Sequence, residues 1–173
     1  SDAAPVVVAP GLEAAAAAPL ADLARSVGAA TRVGSTTRVP APAGVPGGSV
    51  VLVGLGGSDD DLTDETLRRA AGAGARACRG LGSALVLLDD ERAGTVALGA
   101  ALGSFRPAKV TAKSDDTDGA LGKDTLRILV PDADTGAVTR SATVAECVGL
   151  ARDLVNTPPN LLFPGSFADR AAT

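Results

Sequence analysis

The chain holds no histidine, tyrosine, tryptophan or methionine; among side chains with strong chemistry it keeps two cysteines, its acids and its cations. Without imidazole a Ser-His-Asp or Cys-His nucleophile is excluded, as is a zinc site of the usual nitrogen-and-thiolate kind. Cys78 and Cys147 stand 69 positions apart, each on the apolar side of a helical pattern. Two thiols alone cannot close a tetrahedral zinc site, so they read as reduced core cysteines, with a disulfide as the alternative.

Four further stretches imitate functional motifs. Gly54-Leu55-Gly56-Gly57 follows a strand pattern, but a dinucleotide fingerprint needs another glycine three positions after Gly56, where Asp59 stands. Asp59, Asp60 and Asp61 would also repel a pyrophosphate, so a plain strand-to-helix turn is expected. Asp116-Thr117-Asp118-Gly119 copies the middle of a calcium loop, yet Ser114 holds its first ligand position and Thr125 its twelfth, where a bidentate Glu belongs. A solvated acidic loop fits better. Gly122-Lys123 lacks both the hydroxyl residue of a phosphate loop, replaced by Asp124, and its opening glycine, replaced by Thr117. Arg106, Lys109 and Lys113 form a small basic cluster. With a net charge of -4 and 2% aromatic residues, nucleic-acid binding is not expected; a salt-bridging patch or a contact with a neighbouring subunit is. No catalytic, cofactor-binding or metal-ligating residue is assigned in this chain.

The elements that must position these stretches follow from apolar spacing. At 173 residues, 46% hydrophobic and 21% charged, the chain suits a globular domain whose core is built from Ala, Val and Leu. Its longest apolar runs fall far short of the roughly 20 residues that cross a bilayer, and a secretory leader is not evident because Pro10 cuts the first run. A cytoplasmic protein without a membrane or nucleic-acid partner is the expectation. A strand is predicted at Pro5 to Ala9, a helix from Glu13 to Val27 that Pro19 opens or kinks, and a strand within Thr31 to Val39. A breaker-rich loop over Pro40 to Ser49 precedes a buried strand, Val50 to Val53. Thr63 then caps a helix carrying Leu67, Ala70, Ala71, Gly74 and Cys78 inward, with Arg68, Arg69, Arg76 and Arg79 mostly on its other side. Small residues from Ala71 to Ala75 let that helix sit close to its neighbour. With a strand at Ala84 to Leu88 this predicts a right-handed βαβ unit. A second follows: a helix over Glu91 to Phe105 with Val96, Ala97, Ala100 and Ala101 inward, a polar loop over Lys113 to Asp124, and a strand at Leu126 to Val130. Alternating strands and helices argue an α/β sheet sandwiched between helices.

The last quarter is the most specific. Val144, Cys147, Val148, Ala151, Leu154 and Val155 recur at helical spacing, with a capping box at Thr143 and Glu146 or an earlier start near Asp134. Pro158 and Pro159 stop the helix and force Thr157 to Asn160 into an extended or turned path. Pro164-Gly165-Ser166 opens another helix, with Ser166 expected as its N-cap.

The run Ala151-Arg152-Asp153-Leu154-Val155-Asn156-Thr157-Pro158-Pro159-Asn160, then Pro164, Phe167 and Ala168, resembles the domain junction of the leucine aminopeptidase (cytosol aminopeptidase) family. Three weaker stretches agree in order: Val53 to Gly56, Leu62 to Gly72, and Leu98 to Phe105. The resemblance spans roughly residues 50 to 170. It implies a three-layer, macro-domain-like fold with a mixed, largely parallel sheet flanked by helices. It also implies a non-catalytic N-terminal domain over residues 1–150 and the opening of a catalytic domain over residues 151–173. The two divalent cations, zinc or manganese, and the catalytic lysine and arginine would then lie beyond Thr173. Its partners would be that catalytic domain, a peptide substrate of the whole enzyme, and further copies in a homo-hexamer. The other reading is a stand-alone macro-like ligand-binding or interaction module, its cleft lined by the loop after Gly54 and the polar loop near Lys113. The apolar side of Val144 to Val155 calls for cover by another domain, so an isolated chain is expected to self-associate.

Overall fold

The structure is a computed structural model that describes residues 14–45, 47–57, 62–89, 91–106, 126–130 and 134–172. The expected strand at Pro5 to Ala9 and the polar loop Lys113 to Asp124 lie outside these residues.

Helix α2 (Asp64–Ala77) begins where its cap requires. The Thr63 side chain accepts the Thr66 N–H at 3.2 Å while Asp64 and Glu65 occupy the positive end of the macrodipole. Of its expected inward stripe Leu67, Ala70 and Ala71 are buried, Leu67 completely, while Gly74 and Cys78 are half-buried and Ala75 is buried in addition. Helix α3 (Ala93–Ser104) packs against it along a seam of glycines. A Cβ added to Gly99 would collide with the Arg68 backbone, and one on Gly103 with the Gly72 carbonyl. The absence of those two carbons lets the two backbones meet directly, which is what the small-residue run of α2 predicts.

Around this seam Ala71, Ala75, Val96 and Ala100 form a core covered by Val86, Leu88, Leu126 and Ile128. The covering residues lie in or beside strands β3 (Ser83–Leu85) and β4 (Arg127–Leu129), which pair in parallel from Ser83↔Arg127 to Leu85↔Leu129. With α3 between them they make one βαβ unit. A hairpin also contacts α2: β1 (Thr36–Pro40) runs antiparallel to β2 (Ser49–Val53), from Thr36↔Val53 to Pro40↔Ser49. Val39 of β1 is buried, as are Leu20 and Ala24 of helix α1 (Ala14–Ser26), which holds Pro19 in its interior.

The α/β class is thus observed, but the strand pairing departs from the expected sheet. Among the described residues β2 pairs with β1 and β3 with β4, so the two strands flanking α2 do not share a ladder. The connection between β1 and β2 is short enough for a hairpin and too short for the crossover a parallel pair requires.

Helix α4 (Thr135–Asn156) starts at its earlier candidate. The Asp134 carboxylate accepts the Gly136 N–H at 2.9 Å, and Thr143 lies mid-helix with its hydroxyl donating to the Thr139 carbonyl at 3.1 Å, so the Thr143–Glu146 capping box is not formed. Thr157 is extended at φ -75°, ψ 125°, as a pre-proline residue must be. Helix α5 (Pro164–Ala171) starts at its proline, the favoured first-turn position, which makes Phe163 the N-cap and moves Ser166 inside the first turn. There the Ser166 hydroxyl accepts the Phe163 N–H at 3.0 Å and donates to the Leu161 carbonyl at 2.9 Å, closing the turn after the proline pair.

Candidate functional site

The glycine turn after β2 is built by packing against the Thr31–Ser35 loop. Gly54 N–H donates to Ser35 O at 2.9 Å, Gly56 N–H to Thr31 O at 2.8 Å, and Gly34 N–H to Gly54 O at 2.9 Å. A Cβ on Gly54 would strike the Arg32 carbonyl and Ser35 Oγ, and Gly56 holds φ +106°, so both glycines answer a backbone requirement. Two of the amides that a phosphate would need are engaged within the fold. Asp59, Asp60 and Asp61 lie outside the described residues, as do Asp116 to Gly119, Gly122-Lys123, Lys109 and Lys113. Of the expected basic cluster only Arg106 is described, and it is exposed.

The two cysteines part company. Cys78 caps α2, half-buried, and burial pushes its thiol pKa up, with the Arg38 charge opposing. Cys147 is exposed on α4, which corrects its placement in the core. Both thiols are free.

Arg92 fastens the mouth of the α2–α3 seam. Its guanidinium reaches Asp89 Oδ2 at 2.6 Å and the Leu62 carbonyl, with Asp64 at 3.8 Å, while its own N–H donates to Asp89 Oδ1 at 2.8 Å. Burial works to raise the Asp89 pKa, but the hydrogen bonds from Arg92 and its charge together hold the carboxyl below its ordinary value.

Along the α2–α3 seam runs a cleft of about 450 Å³ that no motif announced. Its floor is the small-residue seam, Gly72, Ala73, Gly99 and Gly103, and its sides carry Arg68, Arg69, Arg76 and Arg152. Arg68 pairs with Glu65 at 3.1 Å. Arg152, from α4, donates to the Leu102 carbonyl at 3.2 Å and lies over the Phe105 ring, 5.4 Å from its centre. Arg69 and Arg76 are exposed, and their side chains make no hydrogen bond or ion pair among the described residues. The sequence carried one signal for this site: Arg69 and Arg76 are seven positions apart, hence on one face of the helix. The addition of Arg152 from the far end of the chain was not readable.

Helix α4 meets α3 through its small face. Ser141 Oγ donates to the Gly94 carbonyl at 2.8 Å, and Gly149 lies against the Phe105 ring. Three of its larger apolar residues point elsewhere: Val144, Leu150 and Val155 are exposed, the last by 85%, while Val138, Val148 and Leu154 are half-buried, and Leu161, Phe163 and Phe167 extend the exposed apolar surface beyond it. Among the described residues no three of His, Cys, Asp and Glu come together as a cation would require. No helix among them is long and apolar enough to cross a membrane.

Residues 3–114 match the family model described as the cytosol aminopeptidase family, N-terminal domain. The chain is 41% identical over 157 residues to a probable cytosol aminopeptidase of Rhodococcus opacus, covering 88% of the chain and 31% of that protein. Against the probable cytosol aminopeptidase of Streptomyces avermitilis it is 39% identical over 183 residues, covering 94% of the chain and 35% of the relative. Among solved structures, bottromycin maturation enzyme BotP in complex with Mn matches with a TM-score of 0.66 at 33% identity, over 87% of this chain and 32% of that one. The chain thus spans about a third of the length of these proteins.

Proposed function

The chain belongs to the cytosol aminopeptidase family through its N-terminal domain, and from that premise we propose that it is the accessory domain of a longer, two-metal leucyl aminopeptidase. The carrying observation is coverage: nearly the whole chain aligns with about a third of each relative. The whole enzyme would release N-terminal amino acids from peptides in the cytoplasm. Residues 1–150 form its non-catalytic domain, and residues 151–173 form the junction and the opening of the catalytic domain. In that arrangement the sheet would be completed as a three-layer, macro-domain-like fold, mixed and largely parallel.

The two divalent cations, zinc or manganese, belong in this reading to the catalytic domain. The donors described in this chain do not fit such a site, since no three of them converge. No residue of this chain is assigned a catalytic, cofactor or metal role. Its own task is structural. The outward apolar residues of α4, continued by Leu161, Phe163 and Phe167, supply a surface for the catalytic domain to cover, and this N-terminal domain also shapes a homo-hexamer.

Hydrolysis of a leucyl amide tests this directly, with manganese or zinc added to the chain alone and to the protein extended through its following region. Turnover is expected only from the extended protein. Turnover by the purified chain alone would remove the accessory-domain reading. Tight binding of a nucleotide-sized ligand by the chain, with no turnover by either form, would instead favour a stand-alone macro-like module.

A further inference from the structure

We propose that the arginine-lined cleft between α2, α3 and α4 is a docking site for an acidic polypeptide segment in extended conformation. The cleft gathers four arginines and one glutamate in a chain whose net charge is -4, so it is a local inversion of the molecule's field. Two of the four are already committed, Arg68 to Glu65 and Arg152 to the Leu102 carbonyl. Arg69 and Arg76 are the pair left facing the cleft without a partner among the described residues.

Their spacing selects the ligand. Seven helical residues put the two side chains about 10 Å apart along α2. Each guanidinium fork takes a carboxylate in a bidentate pair, so a ligand carrying several carboxylates can satisfy both. An extended chain of the polyproline II kind advances about 3.1 Å per residue and returns every third side chain to the same side, so carboxylates three positions apart, about 9 Å, meet both forks at once. Nucleobases find no platform: no aromatic side chain lines the cleft, and the nearby Phe105 ring is covered by Arg152. The site is separate from the exposed face of α4 and does not depend on the peptidase reading.

The test is fluorescence anisotropy of a fluorescein-labelled octaglutamate peptide with the full-length protein at low salt. Saturable binding is expected, weakening as salt rises. The double variant Arg69→Glu/Arg76→Glu should bind about tenfold or more weakly, whereas Arg140→Glu, an exposed cation on α4, should change affinity less than about twofold. Should the double reversal fail to fold by circular dichroism, Arg69→Gln/Arg76→Gln replaces it with a smaller loss in the same order. Equal loss in Arg140→Glu overturns the proposal, since net charge alone would then govern binding. Pyrophosphate displacing the peptide at matched charge concentration, a labelled single-stranded oligonucleotide binding as tightly, or no peptide binding at all would each overturn it too.

Discussion

The seam between α2 and α3 and the outer side of α4 are made from the same alphabet of small and medium apolar residues, yet one is the centre of the molecule and the other faces water. At the seam, Gly72, Gly99 and Gly103 bring backbone onto backbone, and Leu67 and Val96 are wholly buried nearby. On α4, glycine and serine again make the contact, through Ser141 and Gly149, while the larger residues Val144, Leu150 and Val155 are left outside. Helical periodicity reports only that a stripe exists. Which stripe the chain itself covers is decided by where small residues permit close approach.

The sharpest way to break that contrast is to add one carbon at the seam. Gly103→Ala gains helix propensity of about 1 kcal/mol but drives its methyl into the Gly72 backbone. Overpacking against main chain has no flexible side chain to yield. A net loss of about 2 kcal/mol in urea unfolding is expected, and an unchanged midpoint would mean the helices are not held as described.

A smaller effect is expected at the mouth of the same seam. Asp89→Asn keeps the shape but removes the charge that Arg92 binds, and should cost about 1–2 kcal/mol at pH 7. Its pH dependence has a definite sign. Because the folded Asp89 carboxyl titrates below its ordinary value, its contribution is complete above that ordinary value, near pH 4, and is lost as pH falls through the lowered one. The stability gap between the parent and Asp89→Asn should therefore shrink on acidification from pH 7 toward pH 3. A gap that widened would contradict the assignment.

The smallest stability change is expected on α4. Val155→Asp should shift unfolding by less than about 0.5 kcal/mol, because the side chain is already 85% exposed. Its readout is association instead: sedimentation velocity should show the parent chain self-associating and the variant less so. A parent that sediments as a clean monomer would remove the need for a covering domain there.

How far the sequence could be read follows the same division. The start of α2 was legible because Thr63 and the acidic first turn act locally, and spacing alone found Leu67, Ala70 and Ala71 of its buried stripe, while Gly74 and Cys78 are only half-buried. The start of α4 stayed open between Thr143 and Asp134, whereas its end was legible from the Pro158-Pro159 pair for the same reason. Strand partners were not, because β2 and β3 flank a helix as a parallel pair would, and only the short β1–β2 connection shows that β2 turns back in a hairpin. Ser166 was misplaced by two competing local preferences, and proline at the first turn prevailed over serine at the cap. The arginine cleft was hidden because Arg152 reaches it from the junction sequence, 76 positions beyond Arg76.

Helix α4 can also be considered as a mechanical part. Its 22 residues make a rod about 33 Å long. The rod is bolted to α3 at two points, Ser141 on Gly94 and Arg152 on Leu102. The bolts are eleven residues apart, about 16 Å along the axis, so a sideways load at Asn156 is resisted as a couple and passes into α3 rather than pivoting α4 about one contact. Past Asn156 the path is stiffened again, by two prolines of fixed φ and by the Leu161 and Leu162 N–H groups both closing on the Pro158 carbonyl. What this region delivers to α5 is a bearing as well as a connection: the direction in which the chain leaves the α/β body is set before any other domain touches it.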